Sequence, residues 1–226
     1  FSDRLIMECD PFSLIEGMTI AAYSVGASHG YIYLRSEYPL AKYFLTEAIQ
    51  TLKSSNLLGK NILGKNFAFD IELRIGAGSY VCGEETAMME SIEGKRGLVR
   101  SKPPLPAIKG LFSKPTLINN VITLASMSAI LLKGKDIFSQ FGSGKSLGTM
   151  PYQLCGNIKQ GGLIEVPFGI TLNEMIYDYG AGTLSEKPVH AVQIGGPLGS
   201  YLPTHLFNTP LTVESLIDLK SSLGHG

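Results

Sequence analysis

The stretch from Phe67 to Ile75 alternates and then runs straight into a glycine turn and a helix-forming segment. Phe67, Phe69, Ile71, Leu73 and Ile75 point one way, and Asp70, Glu72 and Arg74 the other, which is the period of a half-buried strand. Gly76-Ala77-Gly78 follows, then good helix formers from Gly83 to about Glu93. A strand, a glycine turn and a helix N-terminus make the usual α/β platform for a nucleotide.

The spacing departs from a dinucleotide fingerprint. In G-x-G-x-x-G the third glycine would fall at Val81, whereas here it comes at Gly83, and the helix opens with Glu84-Glu85. Carboxylates at a helix N-terminus are stabilised by its dipole but repel a diphosphate from that spot. The turn therefore suits something flat and hydrogen-bonding, with Tyr80 offering a stacking face and a hydroxyl. It equally suits a tight turn with two solvated capping acids.

Upstream, Asp10-Pro11 reads as an N-cap and first helical residue, with Leu14, Ile15, Met18, Ala22 and Val25 on one face. Tyr31 to Leu34 is expected as a buried strand after Gly30. A second helix starts near Pro39, with Leu40, Tyr43, Phe44, Ala48 and Leu52 on its buried side. Helix, strand, helix, strand in this order implies right-handed crossovers and a parallel sheet.

Downstream, Glu93 to Gly97 is a turn, and the prolines of Arg100 to Pro106 predict a stiff, extended loop. Lys102 in that loop is a point charge suited to a phosphate, or a solvated surface lysine. Adjacent Asn119 and Asn120 are good caps for a helix carrying Val121, Leu124, Met127 and Leu131 on its apolar side. Their amides can also bond a ring or a phosphate. The glycine- and serine-rich segment from Gly134 to Met150 marks a domain boundary near 140–150. Beyond it, Gln153 to Ile158, Leu163 to Val166 and Val189 to Ile194 read as strands, and Thr171 to Ile176 as a short helix capped by Thr171.

Composition excludes several classes. The 226 residues carry a formal net charge of zero, so there is no electrostatic footprint for nucleic acid. No apolar run is long enough to span a bilayer. The three cysteines, Cys9, Cys82 and Cys155, are isolated, which argues against a disulfide scaffold and fits a reducing cytoplasm.

The motifs GAGSYVCGEET, ESIEGKRG, KPPLPA and KPTLINNV together closely resemble the signature of the flavoprotein subunit of NADH:quinone oxidoreductase, respiratory complex I. That family includes the diaphorase subunits of NAD-reducing hydrogenases and of NAD-dependent molybdenum formate dehydrogenases. The resemblance covers essentially the whole chain, including Tyr33 to Tyr38, where Ser36 replaces the glycine of an R-G-E-Y turn. Glu37 and Tyr38 are read as capping and packing residues rather than ligands. In the second half, Gly156-Asn157-Ile158-Lys159 and Val192 to Pro203 look most like the beta subunit of soluble NAD-dependent formate dehydrogenase.

The resemblance implies an α/β, Rossmann-like parallel-sheet FMN/NADH domain at 1–145. A small α+β ubiquitin-like domain, of the β-grasp, soluble-ligand-binding type, is implied at 146–226. It implies a cofactor site of Gly76, Gly78, Tyr80, Gly83, Glu84, Glu85, Lys102, Asn119, Asn120 and Thr123, with Lys102 facing NADH. Leu105 stands where many relatives carry a phenylalanine against the adenine. No residue is expected to act as an acid or base. Hydride transfer between NAD(H) and FMN would be followed by single-electron exchange with iron–sulfur centres. The implied partners are a thioredoxin-like iron–sulfur subunit and a molybdenum-containing formate dehydrogenase alpha subunit. Alternatively they are the subunits of complex I or of a hydrogenase.

The family's N-terminal glycine-rich loop, its N-A-D-E-G-E loop and its C-terminal cysteine motif for a 4Fe-4S cluster are not in this sequence. The chain is therefore read as a piece of a flavoprotein, expected to hold no metal and to be inactive alone. It would bind flavin only if the missing loops are dispensable. The rival reading is a non-catalytic scaffold that docks partner subunits.

Overall fold

In the computed structural model, residues 2–134, 136–196 and 199–221 are described. The chain divides into two units, one at Asp3–Ser128 and the other in Ala129–Gly226.

The first unit begins with α1 (Ser2–Cys9) and α2 (Pro11–Val25). Asp10 caps α2 by accepting from the Ser13 N–H at 3.2 Å, and Gly26 ends it in the left-handed region with φ 72°. Strand β1 (His29–Arg35) follows, then α3 (Pro39–Ser54) and β2 (Asp70–Gly76). β1 and β2 pair in parallel, from His29 opposite Asp70 to Arg35 opposite Gly76. The expected parallel sheet is present as this pair. The core between sheet and helices holds Leu14, Ile15, Leu34, Leu45 and Ile71, each contributing about 1.5–3 kcal/mol by burial.

Expectations about faces and about one strand boundary need correction. In α3 the buried residues are Ala41, Leu45, Ala48 and Ile49, while Leu40, Tyr43 and Phe44 lie exposed. The face that meets the sheet is the one with two alanines, because small side chains let the helix axis come close. At the ends of elements, Val25 and Ile75 are exposed although they continue an apolar pattern, since packing partners run out there. Strand β2 also starts three residues later than the alternation predicts, at Asp70; Phe69 bridges instead to Gly59.

After β2 a 3-10 turn at Tyr80–Gly83 leads into α4 (Glu85–Ile92). The segment expected to be extended instead bends at 102–104, with cis peptide bonds before Pro103 and Pro104. The short α5 (Pro106–Lys109) follows, and then α6 (Val121–Ala125) and α7 (Met127–Lys133). The single helix expected after Asn120 is thus two, separated at Ser126, and Leu131 is exposed rather than apolar-packed. α6 lies directly on α2 at Gly17, where a Cβ would come within 1.8 Å of the Leu124 carbonyl oxygen.

The second unit contains α8 (Asp136–Ser139) and a small hairpin of β3 (Gly142–Ser143) with β4 (Ser146–Leu147). A longer antiparallel hairpin joins β5 (Thr149–Leu154) to β6 (Gly162–Pro167). The strand expected around Cys155-Gly156-Asn157 therefore ends before it, and these residues form the exposed connection. Gly156 there has φ 97°, which a ladder position would not accommodate.

Thr171 caps α9 (Leu172–Glu174) through a reciprocal capping box with Glu174, and a π-helical turn at Met175–Tyr179 continues it. β7 (Ala191–Gln193) pairs with β8 (Tyr201–Pro203), and α10 (Val213–Asp218) closes the unit. Its core gathers Val166, Leu172, Ile176, Leu202, Phe207 and Leu216. Among the described residues no helix is long and apolar enough to cross a membrane.

Candidate functional site

The carboxyl ends of the two parallel strands meet, and this is where open α/β sheets bind ligands. β1 leaves into Ser36-Glu37-Tyr38 and β2 into the glycine turn. A Cβ on Gly76 would come within 2.6 Å of the Tyr33 phenol oxygen, so that ring would have to shift, and Gly78 has φ 86°, a conformation that favours glycine. At Gly83 a Cβ would meet nothing within 4 Å. That glycine is not demanded by the chain's own packing, and its backbone stays open to a visitor. Tyr80 is 67% exposed beside it, with its ring free to stack, whereas Cys82 in the same turn is buried.

The N-terminus of α4 is already occupied by an anion of the protein's own. Glu84 accepts from the backbone N–H of Thr86 at 2.8 Å and of Ala87 at 2.9 Å. Burial pushes the Glu84 carboxyl up, but the Thr86 hydroxyl, these N–H groups and Lys102 prevail and hold it below the ordinary glutamate value. A phosphate has no place at this helix end. Lys102 reaches back to the same acids, 3.3 Å from Glu84 and in contact with Glu85. Its pKa is raised, first by the Glu85 contact. The lysine expected to present a free charge to a phosphate is instead held between two carboxylates.

Beside this turn is an ion-pair network that the sequence reading missed. Arg100 bonds Glu90 at 2.5 Å, Glu93 at 2.9 Å and the Gly110 carbonyl at 3.1 Å, while its own N–H donates to Thr86 Oγ1 at 2.9 Å. Burial pushes the Glu93 carboxyl up, but Lys95, Arg100 and the Phe112 N–H outweigh this and hold it at about 2. The network lines a cleft of about 310 Å³ that reaches Ser101, Pro104 and Lys109. The signal available in sequence was the run of cations from Lys95 to Lys102 facing the acids of α4.

Asn119, Asn120 and Thr123 sit at the start of α6 and are exposed. Asn120 caps the helix, its Oδ1 accepting from the Ile122 N–H at 2.9 Å while its Nδ2 donates to Asp3 Oδ2 at 2.9 Å. Burial raises the Asp3 carboxyl even so. Among the described residues no hydrogen bond or ion pair links this trio to the glycine turn. Gly76 to Glu85 and Lys102 thus form one cluster, and Asn119, Asn120 and Thr123 a second. Glu37 pairs with Arg35 at 2.7 Å, and the guanidinium groups of Arg4 and Arg35 lie over the Tyr38 ring at 5.3 and 5.6 Å. Those contacts match the packing part of their reading, whereas neither side chain caps α3, which begins after Tyr38 without a side-chain cap bond.

The donor set fits a planar, hydrogen-bonding group better than a metal or a diphosphate. Among the described residues no three His, Cys, Asp or Glu side chains converge as a metal site. A flat ring could approach the bare turn at Gly83, against Tyr80 and under the acid rim. A phosphate would have to seek the amides of the second cluster.

Residues 1–129 match the family model described as the Nuo51 FMN-binding domain. Over its full length the chain is 48% identical to the NADP-reducing hydrogenase subunit HndC of Solidesulfovibrio fructosivorans, covering 46% of that protein. It is 42% identical to an NADH-quinone oxidoreductase subunit of Rhizobium meliloti, over 99% of this chain and 53% of that one. It is 43% identical to the NAD-reducing hydrogenase HoxS subunit alpha of Cupriavidus necator, over 88% of this chain and 32% of that one. The fold superposes on a crystal structure of an NAD+-reducing NiFe-hydrogenase in the H2-reduced state. The TM-score is 0.85 at 33% identity, covering 99% of this chain and 36% of that one. The chain spans about half the length, or less, of these three curated relatives.

Proposed function

The chain belongs to the Nuo51 FMN-binding domain family, and from that premise we propose that it is the FMN- and NAD(H)-binding part of the flavoprotein subunit of a multi-subunit oxidoreductase. The observation that carries this is the exposed turn from Gly76 to Gly83 at the carboxyl ends of the parallel strands. It is bare at Gly83 and backed by a helix whose N-terminus is closed to phosphate by Glu84. FMN, when bound, supplies the redox chemistry, exchanging a hydride with NAD(H) and single electrons with iron–sulfur centres.

The chain's own residues orient and exclude. Gly76, Gly78 and Gly83 let backbone approach a ring edge, and Tyr80 supplies a face and a hydroxyl. Glu84 and Glu85 accept hydrogen bonds from ribose or carboxamide donors and keep phosphates away from the turn. Lys102, held by these two acids, sets their direction and neutralises part of their charge. Asn119, Asn120 and Thr123 offer amide and hydroxyl groups to the flavin ring or its phosphate. Hydride transfer between stacked rings needs no acid or base, and none is assigned. Positioning is the protein's contribution.

The assembly is most simply that of its relatives, a NAD(P)-reducing hydrogenase or complex I, which are the named enzymes of the proteins above. A link to formate oxidation rests on the second-half residues alone and is the weaker reading. On either reading the 4Fe-4S cluster belongs to a part of the subunit outside this chain, and a thioredoxin-like iron–sulfur subunit is its electron partner. For residues 146–226 the proposal is a β-grasp domain with a docking role, which rests on the sequence resemblance alone.

The test is steady-state NADH oxidation by the full-length subunit with an artificial electron acceptor. Glu85→Ala should raise the KM for NADH severalfold with FMN content unchanged. Unaltered kinetics would remove Glu85 from the nicotinamide site.

A further inference from the structure

Beneath the glycine turn lies a hydroxyl contact that the proposed chemistry does not use. Tyr33, opposite Arg74 in the parallel pair, sends its phenol from β1 to α4, where the oxygen lies 2.9 Å from Ser91 Oγ. The same ring occupies the space under Gly76, where a Cβ would lie 2.6 Å from the phenol oxygen and 2.8 Å from Cζ. Burial and the neighbouring Cys82 push the phenol's pKa up, against the Ser91 contact, so the group stays neutral. Cys82 belongs to the 3-10 turn between β2 and α4. One side chain therefore touches the exit of β2, the turn and the helix that follows.

The opposite end of α4 is tied elsewhere, through Thr86 to the Arg100 N–H. Only the Tyr33–Ser91 contact is a described side-chain hydrogen bond from α4 to the sheet. A turn with glycine at its first and third positions has little stiffness of its own, so its shape depends on what is wedged beneath it.

We propose that Tyr33 is a positioning residue for the flavin site: its ring supports the backbone at Gly76, and its bond to Ser91 fixes how α4, with Glu84 and Glu85, meets β2. The inference rests on the flavin reading above. Loss of one such neutral bond changes an equilibrium by about three- to tenfold.

The experiment is titration of FMN into the full-length apo-subunit, read out by quenching of flavin fluorescence, with thermal melting alongside. Tyr33→Phe and Ser91→Ala should each raise the Kd for FMN about three- to tenfold. The double variant should be no worse than the weaker-binding single, because both remove one bond, and Ser91→Thr should retain the parental Kd. Variants that melt lower but bind FMN unchanged would reduce Tyr33 to a purely structural residue and overturn the proposal. Single effects that simply add in the double would overturn it as well. Failure of the unmodified subunit to bind FMN would defeat the flavin reading itself, and this inference with it; the unmodified titration tells the two failures apart.

Discussion

Lys102 and Glu85 form an ion pair at the rim of the glycine turn, and Glu84 shares the same ammonium at 3.3 Å. Their side chains are 36% and 39% exposed, so solvent screens the pair and it adds little to stability. Its larger effect is on the local field. Lys102→Met should leave two unneutralised acids facing the nucleotide, raising the KM for NADH severalfold with a melting temperature nearly unchanged. Steady-state kinetics at several salt concentrations check this, the defect shrinking as salt screens the acids.

Glu93 predicts an acid limb. Its folded-state pKa near 2 lies below the ordinary 4.5, so its contribution is fully present above about pH 4.5 and lost as pH falls towards 2. The shift corresponds to at most about 3 kcal/mol; the exposed Lys95 partner reduces the expectation to about 2 kcal/mol. Denaturant unfolding of Glu93→Gln should show that deficit at neutral pH and a shrinking one on acidification.

Gly17 predicts a packing defect that reaches the second cluster. An alanine Cβ would lie 1.8 Å from the Leu124 carbonyl oxygen, so α6 must move off α2. The cost should be about 1–3 kcal/mol. Because Asn120 caps α6, FMN affinity should fall with it, and thermal melting together with FMN titration separates the two effects.

Much of the first unit was legible because its signals are local. Asp10-Pro11 announced a helix start, the alternation through Ile71 a strand, and in the second unit Thr171 a helix cap. The misread face of α3 shows the limit. Leu40, Tyr43 and Phe44 are more hydrophobic than Ala41 and Ala48, yet close approach to the sheet favours the small residues. A scan for bulky apolar positions cannot see that preference.

Of the candidate site, the placement of the acids was legible in the sequence and their contacts were not. Glu84 and Glu85 stand at the start of α4 as their sequence positions imply, and Glu84 takes the helix N–H groups that a phosphate would need. That Lys102 would be the cation to meet them depends on the bend at 102–104, where proline-rich sequence suggested extension. The Arg100 network needed a fold that brings the loop back over α4, and the Asp3 partner of Asn120 is distant in sequence. Such long-range pairings carry no periodic signal.

The central claim is that this chain carries much of a flavin site, and FMN binding to it tests that most directly. Titration monitored by fluorescence quenching should give saturable 1:1 binding that Asn120→Ala weakens severalfold. Absence of saturable quenching at high protein concentration by a chain shown by circular dichroism to be folded would contradict the claim.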